Sequence, residues 1–436
     1  MKIIFKEVRV LDPESMRDEV LDVVIEGQKI LEMGKNLDKR EGRIIEGKGK
    51  WLVPGLIDVH VHLREPGFEY KETFISGSYS GAMGGFTTVA YMPNTNPVID
   101  HPDMVAKLIK KGKTEGIINL HPVGAMTLSQ QGNTLGDYRE MKKAGAVALS
   151  EDGKSVLDSG VMKQALLRAK KENLPVLVHC EDPSLVAGGA MNEGEKSKAL
   201  KIKGIPNSAE DVITARDLIL SHETGARVHL CHMSTKGSVE LLREAKKKNP
   251  KVSGEVSPHH FTLTEEVIDG MDTNTKMNPP LRREADRREL IKGLQEGVID
   301  IIATDHAPHS KEDKNQGYEQ APFGIVGLET ALSIGLTELV HTGVLSPLTF
   351  FEKLTINPAR LLGIPRGKLQ VGEVADLTLI DPDVSYEIQP EKFQSKSQNT
   401  PFTGRSVKGK PMLTMVSGKI VMENEIINET IKEGNQ

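Results

Sequence analysis

Eight short apolar runs recur along the middle of the chain, each followed by a segment whose apolar residues return at helical spacing. No other feature restricts the fold as much. The runs are LIDVHVH (56–62), TTVAYMPN (87–94), INLHPVGAM (118–126), AVALSED (146–152), PVLVHCED (175–182), ARVHLCHMS (226–234), KVSGEVSPHH (251–260) and VIDIIATDHAPH (298–309). Apolar runs alternating with helical segments are the pattern of parallel strands joined by crossover helices. Eight of them predict an α/β fold, the TIM (β/α)8 barrel. A doubly wound sheet fits less well, because no Gly-rich dinucleotide fingerprint follows the first run.

The two ends of the chain have a different texture. KIIFKEVRVLD, EVLDVVIEGQKILEMG and GRIIEGKGKWLVPG near the start, and VADLTLIDPD and KPMLTMVSGKIVMENEII near the end, read as short strands separated by Gly and Asp turns. At 436 residues there is room for a barrel and a smaller appendage. The expected organisation is the N-terminal part of a β-sandwich at 1–54, a barrel at 55–365 and the C-terminal part of the sandwich at 366–436.

Within the runs, side chains capable of chemistry gather at the carboxyl ends, where barrel active sites are built. His60, His62, Asn94, Asp152, His179, His232 and Asp305 all follow this rule. Residues two apart on a strand face the same side, so His60 and His62 can meet one ion together, and imidazole suits zinc and similar metals. Four histidines with Asp152 and Asp305 exceed the usual four ligands of one zinc. A two-metal hydrolytic site is the economical reading, with a bridging carboxylate and a bridging hydroxide of lowered pKa.

Composition excludes other classes. The net charge is −5 with both signs interspersed, which favours a small-molecule substrate over nucleic acid or an anionic membrane. The two cysteines, Cys180 and Cys231, cannot form a disulfide framework for a chain this size, and a reducing cytoplasm is expected. Charge interrupts the opening apolar run, and no stretch of about 18 apolar residues follows, so neither export nor membrane insertion is expected.

Several segments are more specific. Asp58-Val59-His60-Val61-His62-Leu63-Arg64-Glu65-Pro66-Gly67, Met92-Pro93-Asn94-Thr95-Asn96-Pro97, Asn278-Pro279-Pro280-Leu281-Arg282 and Ala303-Thr304-Asp305-His306-Ala307-Pro308-His309 together resemble the dihydroorotases of the amidohydrolase superfamily. The likeness runs on through Asn357-Pro358-Ala359-Arg360 and into Gly367-Lys368-Leu369, Gly372 and Ala375-Asp376. It implies interconversion of N-carbamoyl-L-aspartate and L-dihydroorotate in pyrimidine biosynthesis, with two Zn2+ per subunit. His60, His62 and Asp305 would hold one zinc, His179 and His232 the other, and Asp152 would bridge them. Hydantoinases, allantoinases and one branch of dihydroorotases resemble each other in bridging with a carbamylated lysine; Asp152 matches the bacterial branch that bridges with aspartate. That branch often carries two aspartates where this chain has Glu151 and Asp152, and Lys154 is the alternative bridge. Glu65 replaces a common Asp.

A small ring bearing a carboxylate needs a fork-shaped cation and amides. Arg64 supplies the fork, on the same face as His62 if the strand persists that far. Asn94, Asn278 and His309 match substrate-binding residues of the family. The resemblance further implies attack of the metal-activated hydroxide on the ring carbonyl, with Asp305 as the proton shuttle. The polar stretch 310–321 predicts a mobile loop serving as a lid, with backbone groups of Pro322 to Gly324 against the ring. His259, His260 and His306 are expected to be structural, and alternation would aim Cys180 and Cys231 away from the metals. A homodimer and a complex with aspartate transcarbamoylase are the expected partners. Two rivals remain: another cyclic amidase (hydantoinase or allantoinase), and a catalytically silent scaffold homologue.

Overall fold

The computed structural model describes residues 2–37 and 41–429. Met1 and residues 430–436, the outermost parts of the two expected terminal units, lie outside the described residues.

All eight runs form strands of one parallel sheet: Leu56–Val61, Phe86–Tyr91, Asn119–Ala125, Ala148–Ser150, Val176–Val178, Val228–Leu230, Val252–Val256 and Ile301–Ile302. Each pairs with the next in sequence order. The sheet closes where Val61 bridges His306 in parallel and the His62 N–H donates to the His306 carbonyl at 2.8 Å. The fold is therefore the expected barrel. Alternation divides its residues between two cores. Ala148, Leu177 and Ile301 join an apolar cluster inside the barrel. Their neighbours Leu149, Val176, Val178 and Ile302 join the larger cluster shared with the helices. Strands buried on both faces lose the polar alternation of an exposed sheet, which is why they read as continuous apolar runs.

The two chain ends meet in a second sheet. Trp51–Pro54 pairs antiparallel with Leu377–Glu387, in register from Leu377 opposite Pro54 to Ile380 opposite Trp51. The sheet continues through Lys2–Asp12, Arg17–Glu26 and Lys29–Gly34 on one side, and through Ser406–Val416, Lys419–Glu423 and Ile426–Ile427 on the other. The β appendage is thus one nine-stranded, largely antiparallel sheet with its own apolar cluster, including Phe5, Val23, Leu52, Leu377 and Met415. Because Trp51–Pro54 runs almost directly into the first barrel strand, this sheet fixes where that strand and its histidines enter the barrel.

Candidate metal centre and substrate cavity

The chemistry-bearing side chains converge at the carboxyl ends of the barrel strands. Asp152 stands at the middle. Its Oδ1 lies 3.3 Å from His60 Nε2 and 3.7 Å from both His179 Nδ1 and His232 Nε2, while its Oδ2 lies 3.4 Å from His62 Nε2. Asp305 Oδ1 closes the group at 3.2 Å from His62 Nε2 and 3.5 Å from His60 Nε2. All six side chains are buried. His60 Nε2 and Asp152 Oδ1 are buried atoms without a hydrogen-bond partner. Orphaned acceptors of this kind cost free energy unless something else occupies them.

Electrostatics point to a cation. Burial alone would raise Asp305, yet His62, His60 and His232 hold its carboxyl well below the ordinary range. Burial would also raise Asp152, but His60 and its neighbours pull it well down. Burial should lower His60, but the charges of Asp152 and Glu255 lift it. A buried set of ionised carboxylates and imidazoles with unfilled acceptor atoms fits a divalent metal. The ligand atoms of His60, His62 and Asp305 lie within 4.8 Å of one another, as do those of His60, Asp152 and His232.

Beside this group lies a cavity of about 240 Å3, lined by Arg64, Asn94, Asn278, His309, Phe323 and Gly324 together with all of the expected metal ligands except His60. Arg64 does not continue the strand. The strand ends at Val61, and Arg64 has φ +59°, so a left-handed turn rather than alternation delivers the guanidinium. Arg64 Nε donates to the Pro308 carbonyl at 3.1 Å, and burial lowers its pKa to about 10. Asn94 links two of the expected ligands, accepting from His62 Nδ1 at 2.9 Å and donating to Asp152 Oδ2 at 3.2 Å. Asn278 donates to Glu181 Oε2 at 2.5 Å, and that oxygen lies 3.7 Å from His179 Nε2. His309 Nε2 lies 2.9 Å from the Phe323 carbonyl and 3.2 Å from Arg64 Nη2, and its Nδ1 lies 3.2 Å from Lys71 Nζ. Burial, Arg64 and Lys71 all lower its pKa. Pro322 does not line the cavity; its carbonyl accepts from Lys314.

Segment 310–321 differs from the expected loose loop. Lys311–Lys314 forms a short helix, and Lys314 is buried, with Nζ donating to the carbonyls of Lys276, Pro322 and Gly324 at 3.3, 3.0 and 3.1 Å. Tyr318 is buried as well. In the sequence a lysine among polar residues reads as solvated, but three converging carbonyls turn this one into an anchor. Cys231 departs from expectation too, because it joins the cluster inside the barrel and its sulfur approaches His60 and Glu255. Burial and the neighbouring Glu255 push its thiol up from the ordinary value. Lys154 extends to the Gln130 carbonyl at 3.0 Å, away from the bridging position. His306 is structural: its Nδ1 accepts from the Gly327 N–H at 3.1 Å.

Four supporting residues escape the sequence reading. Asp58 accepts from the backbone N–H groups of His60 and Thr304 at 3.0 and 3.1 Å. Glu255, Glu181 and Asn399 touch ligand or substrate-side residues. Asp58 and Glu255 did carry a signal, since each is a charged letter inside an apolar strand. Such a residue must be paired when buried.

Comparison with known proteins agrees with this architecture. The family profile described as Dihydro-orotase-like matches residues 49–238. The chain is 50% identical over 427 residues to the dihydroorotase of Pelotomaculum thermopropionicum, covering 98% of this chain and 100% of the relative. It is 46% identical over 424 residues to that of Endomicrobium trichonymphae, covering 97% and 100%. Among solved structures, the L-hydantoinase (dihydropyrimidinase) of Arthrobacter aurescens matches with a TM-score of 0.88 at 26% identity, covering 98% of this chain and 97% of that one. Full-length identity at this level, joined to a barrel that gathers the expected ligands, places the chain in the dihydroorotase family.

Proposed function

We propose that this protein interconverts N-carbamoyl-L-aspartate and L-dihydroorotate, opening and closing a cyclic amide in de novo pyrimidine biosynthesis. The observation that carries this reading is the meeting, in one cavity, of a histidine and aspartate donor set with a buried guanidinium and two side-chain amides. A hydrolytic metal centre alone would suit many amides; a fork-shaped cation beside it selects one that bears a carboxylate.

In this reading His60, His62 and Asp305 would hold one zinc and His179 and His232 a second, with Asp152 as the carboxylate available to both. When bound, the metals supply Lewis acidity and make water nucleophilic at neutral pH. Arg64 grips the substrate carboxylate through two parallel hydrogen bonds. A side-chain amide carries two N–H donors and two acceptor lone pairs, so Asn94 and Asn278 can orient the ring while keeping their contacts to Asp152 and Glu181. His309 lies along the ring, and the backbone at Phe323 and Gly324 forms the opposite wall. Asp305, held ionised by its histidine neighbours, accepts the proton of the attacking water and delivers it to the departing amide nitrogen. Microscopic reversibility assigns the same carboxyl to ring closure.

Among the described residues no helix is long and apolar enough to cross a membrane. Two buried thiols fit a reducing cytoplasm. We take the working form to be a homodimer, with aspartate transcarbamoylase as its candidate partner, and residues 1–54, 55–365 and 366–436 as the structural division. The test is turnover by zinc-reconstituted protein of L-dihydroorotate beside hydantoin and allantoin, with metal counted per chain. Preference for dihydroorotate with two zinc ions per chain is expected. Preference for hydantoin or allantoin would overturn the substrate, and no turnover even with aspartate transcarbamoylase added would indicate a silent homologue.

A further inference from the structure

Glu255 sits on the seventh barrel strand, Val252–Val256, and is wholly buried. A carboxylate removed from water costs several kcal/mol unless its oxygens are satisfied, and here both are. Oε1 accepts from His60 Nδ1 at 2.7 Å and from the backbone N–H of His232 at 3.2 Å. Oε2 accepts from His229 Nε2 at 2.9 Å, and His229 Nδ1 in turn meets Ser253 Oγ at 2.8 Å. His229 and Ser253 are direct partners across the sixth and seventh strands, so a polar layer runs beneath the metal ligands.

Two consequences follow from these contacts. A carboxylate can only accept, so His60 carries its proton on Nδ1, and Nε2 is left as the lone pair that faces Asp152 and Asp305. His232 has φ +33°, a conformation that side-chain-bearing residues adopt only when neighbours hold them there. The bond from its N–H to Glu255 is one such hold. His60 belongs to one expected ligand set and His232 to the other, and a single carboxylate oxygen contacts both.

We propose that Glu255 is the positioning residue shared by both halves of the metal centre, orienting His60 through its ring and His232 through its backbone. The proposal rests on the metal-dependent reading above. It separates Glu255 from a partner that serves one ligand alone, because its loss should weaken both metal positions together.

The test is competition for zinc between a chromophoric chelator and the full-length wild type, Glu255→Gln and Glu255→Asp, with cobalt(II) absorption as a second readout and thermal midpoints as a fold control. Glu255→Gln keeps the shape but puts an amide where three donors converge. Glu255→Asp keeps the charge but withdraws the oxygens by about one C–C bond, ~1.5 Å. Either folded variant is expected to release both zinc ions at chelator concentrations about 10- to 100-fold lower than the wild type, with an altered cobalt spectrum. Retention of both ions with wild-type affinity, or weakening of one position alone, overturns the proposal. If the wild type itself binds no zinc, the metal-dependent reading falls and this inference falls with it. If the wild type binds two zinc ions and turns over dihydroorotate while the folded variants are unchanged, only the inference falls.

Discussion

Asn399 joins three pieces of backbone around the substrate cavity, and its removal has a calculable effect. Its Oδ1 accepts from the His309 N–H at 3.1 Å, and its Nδ2 donates to the carbonyls of Ala307 at 3.1 Å and Gly324 at 3.0 Å. The residue is buried. In Asn399→Ala three hydrogen bonds are lost, worth roughly 1 kcal/mol each, and buried partners left unsatisfied add to the cost. The Gly324 carbonyl keeps Lys314, so the stranded groups are the His309 N–H and the Ala307 carbonyl. The loss is then about 4 kcal/mol. Spread over the unfolding entropy of a chain this long, it lowers the thermal midpoint by about 4 °C. The larger consequence is functional, because the freed backbone carries His309 and the wall at Gly324. If about 2.7 kcal/mol of that loss appears in the transition state, kcat/KM for dihydroorotate falls about 100-fold, with zinc content unchanged. Steady-state kinetics, metal analysis and a thermal melt together check this. Wild-type kcat/KM with an unshifted midpoint would refute the reasoning and assign the placement of His309 to Lys71 and the Phe323 carbonyl instead.

Asp305→Asn should fold but lose about 10²- to 10⁴-fold in turnover, the range of a general acid–base contribution; near-normal rates with metal bound would remove the shuttle role. Arg64→Lys keeps the charge but loses the fork, and should raise KM by about 10- to 100-fold, with a smaller change in kcat; an unchanged KM would place the substrate carboxylate elsewhere. Lys314 is lowered from its ordinary value to about 7 by burial and by Lys276. Between that value and about 10.4, the ordinary lysine pKa, the unfolded chain binds more protons than the folded one, so stability rises with pH across this window. The wild type should therefore gain stability relative to Lys314→Met as pH is raised from about 7 to about 10; parallel denaturation curves at both pH values would contradict the burial of that ammonium.

The barrel was legible because burial on both faces writes a strand as an unbroken apolar run, and the site was legible where polar residues interrupt those runs at their carboxyl ends. His60, His62, Asp152, His179, His232 and Asp305 could be chosen for that reason alone. Asn399 could not. It stands in an irregular stretch far from the eighth strand in sequence, with nothing in its neighbours to distinguish a buried clamp from a solvated turn. Lys314 was read in the opposite sense, because only tertiary structure brings three carbonyls to one ammonium. Glu255 was visible as a charge within a strand, but its meaning depends on depth in the barrel, which a one-dimensional pattern does not encode.

Alternation itself fails at an informative place. On the sixth strand His229 faces the polar layer inside the barrel, and Cys231, two residues on, keeps that phase and joins the interior cluster. His232 should then point outward, yet its ring stands 5.1 Å from that of His60. The positive φ at His232 accounts for the change, since leaving the strand through the left-handed region re-aims the next side chain. Arg64, at φ +59°, and Asp305, at φ +48°, leave their strands in the same way. Each such residue costs roughly 1–3 kcal/mol and persists only where its surroundings hold it. The holds are visible: Glu255 on the His232 N–H, Asp58 on the Thr304 N–H, and the His306 N–H on Thr304 Oγ1 at 3.0 Å. The polar layer beneath the expected metal ligands therefore does more than neutralise buried charge, because it keeps the backbone in the conformations that turn these side chains from separate strands toward one point.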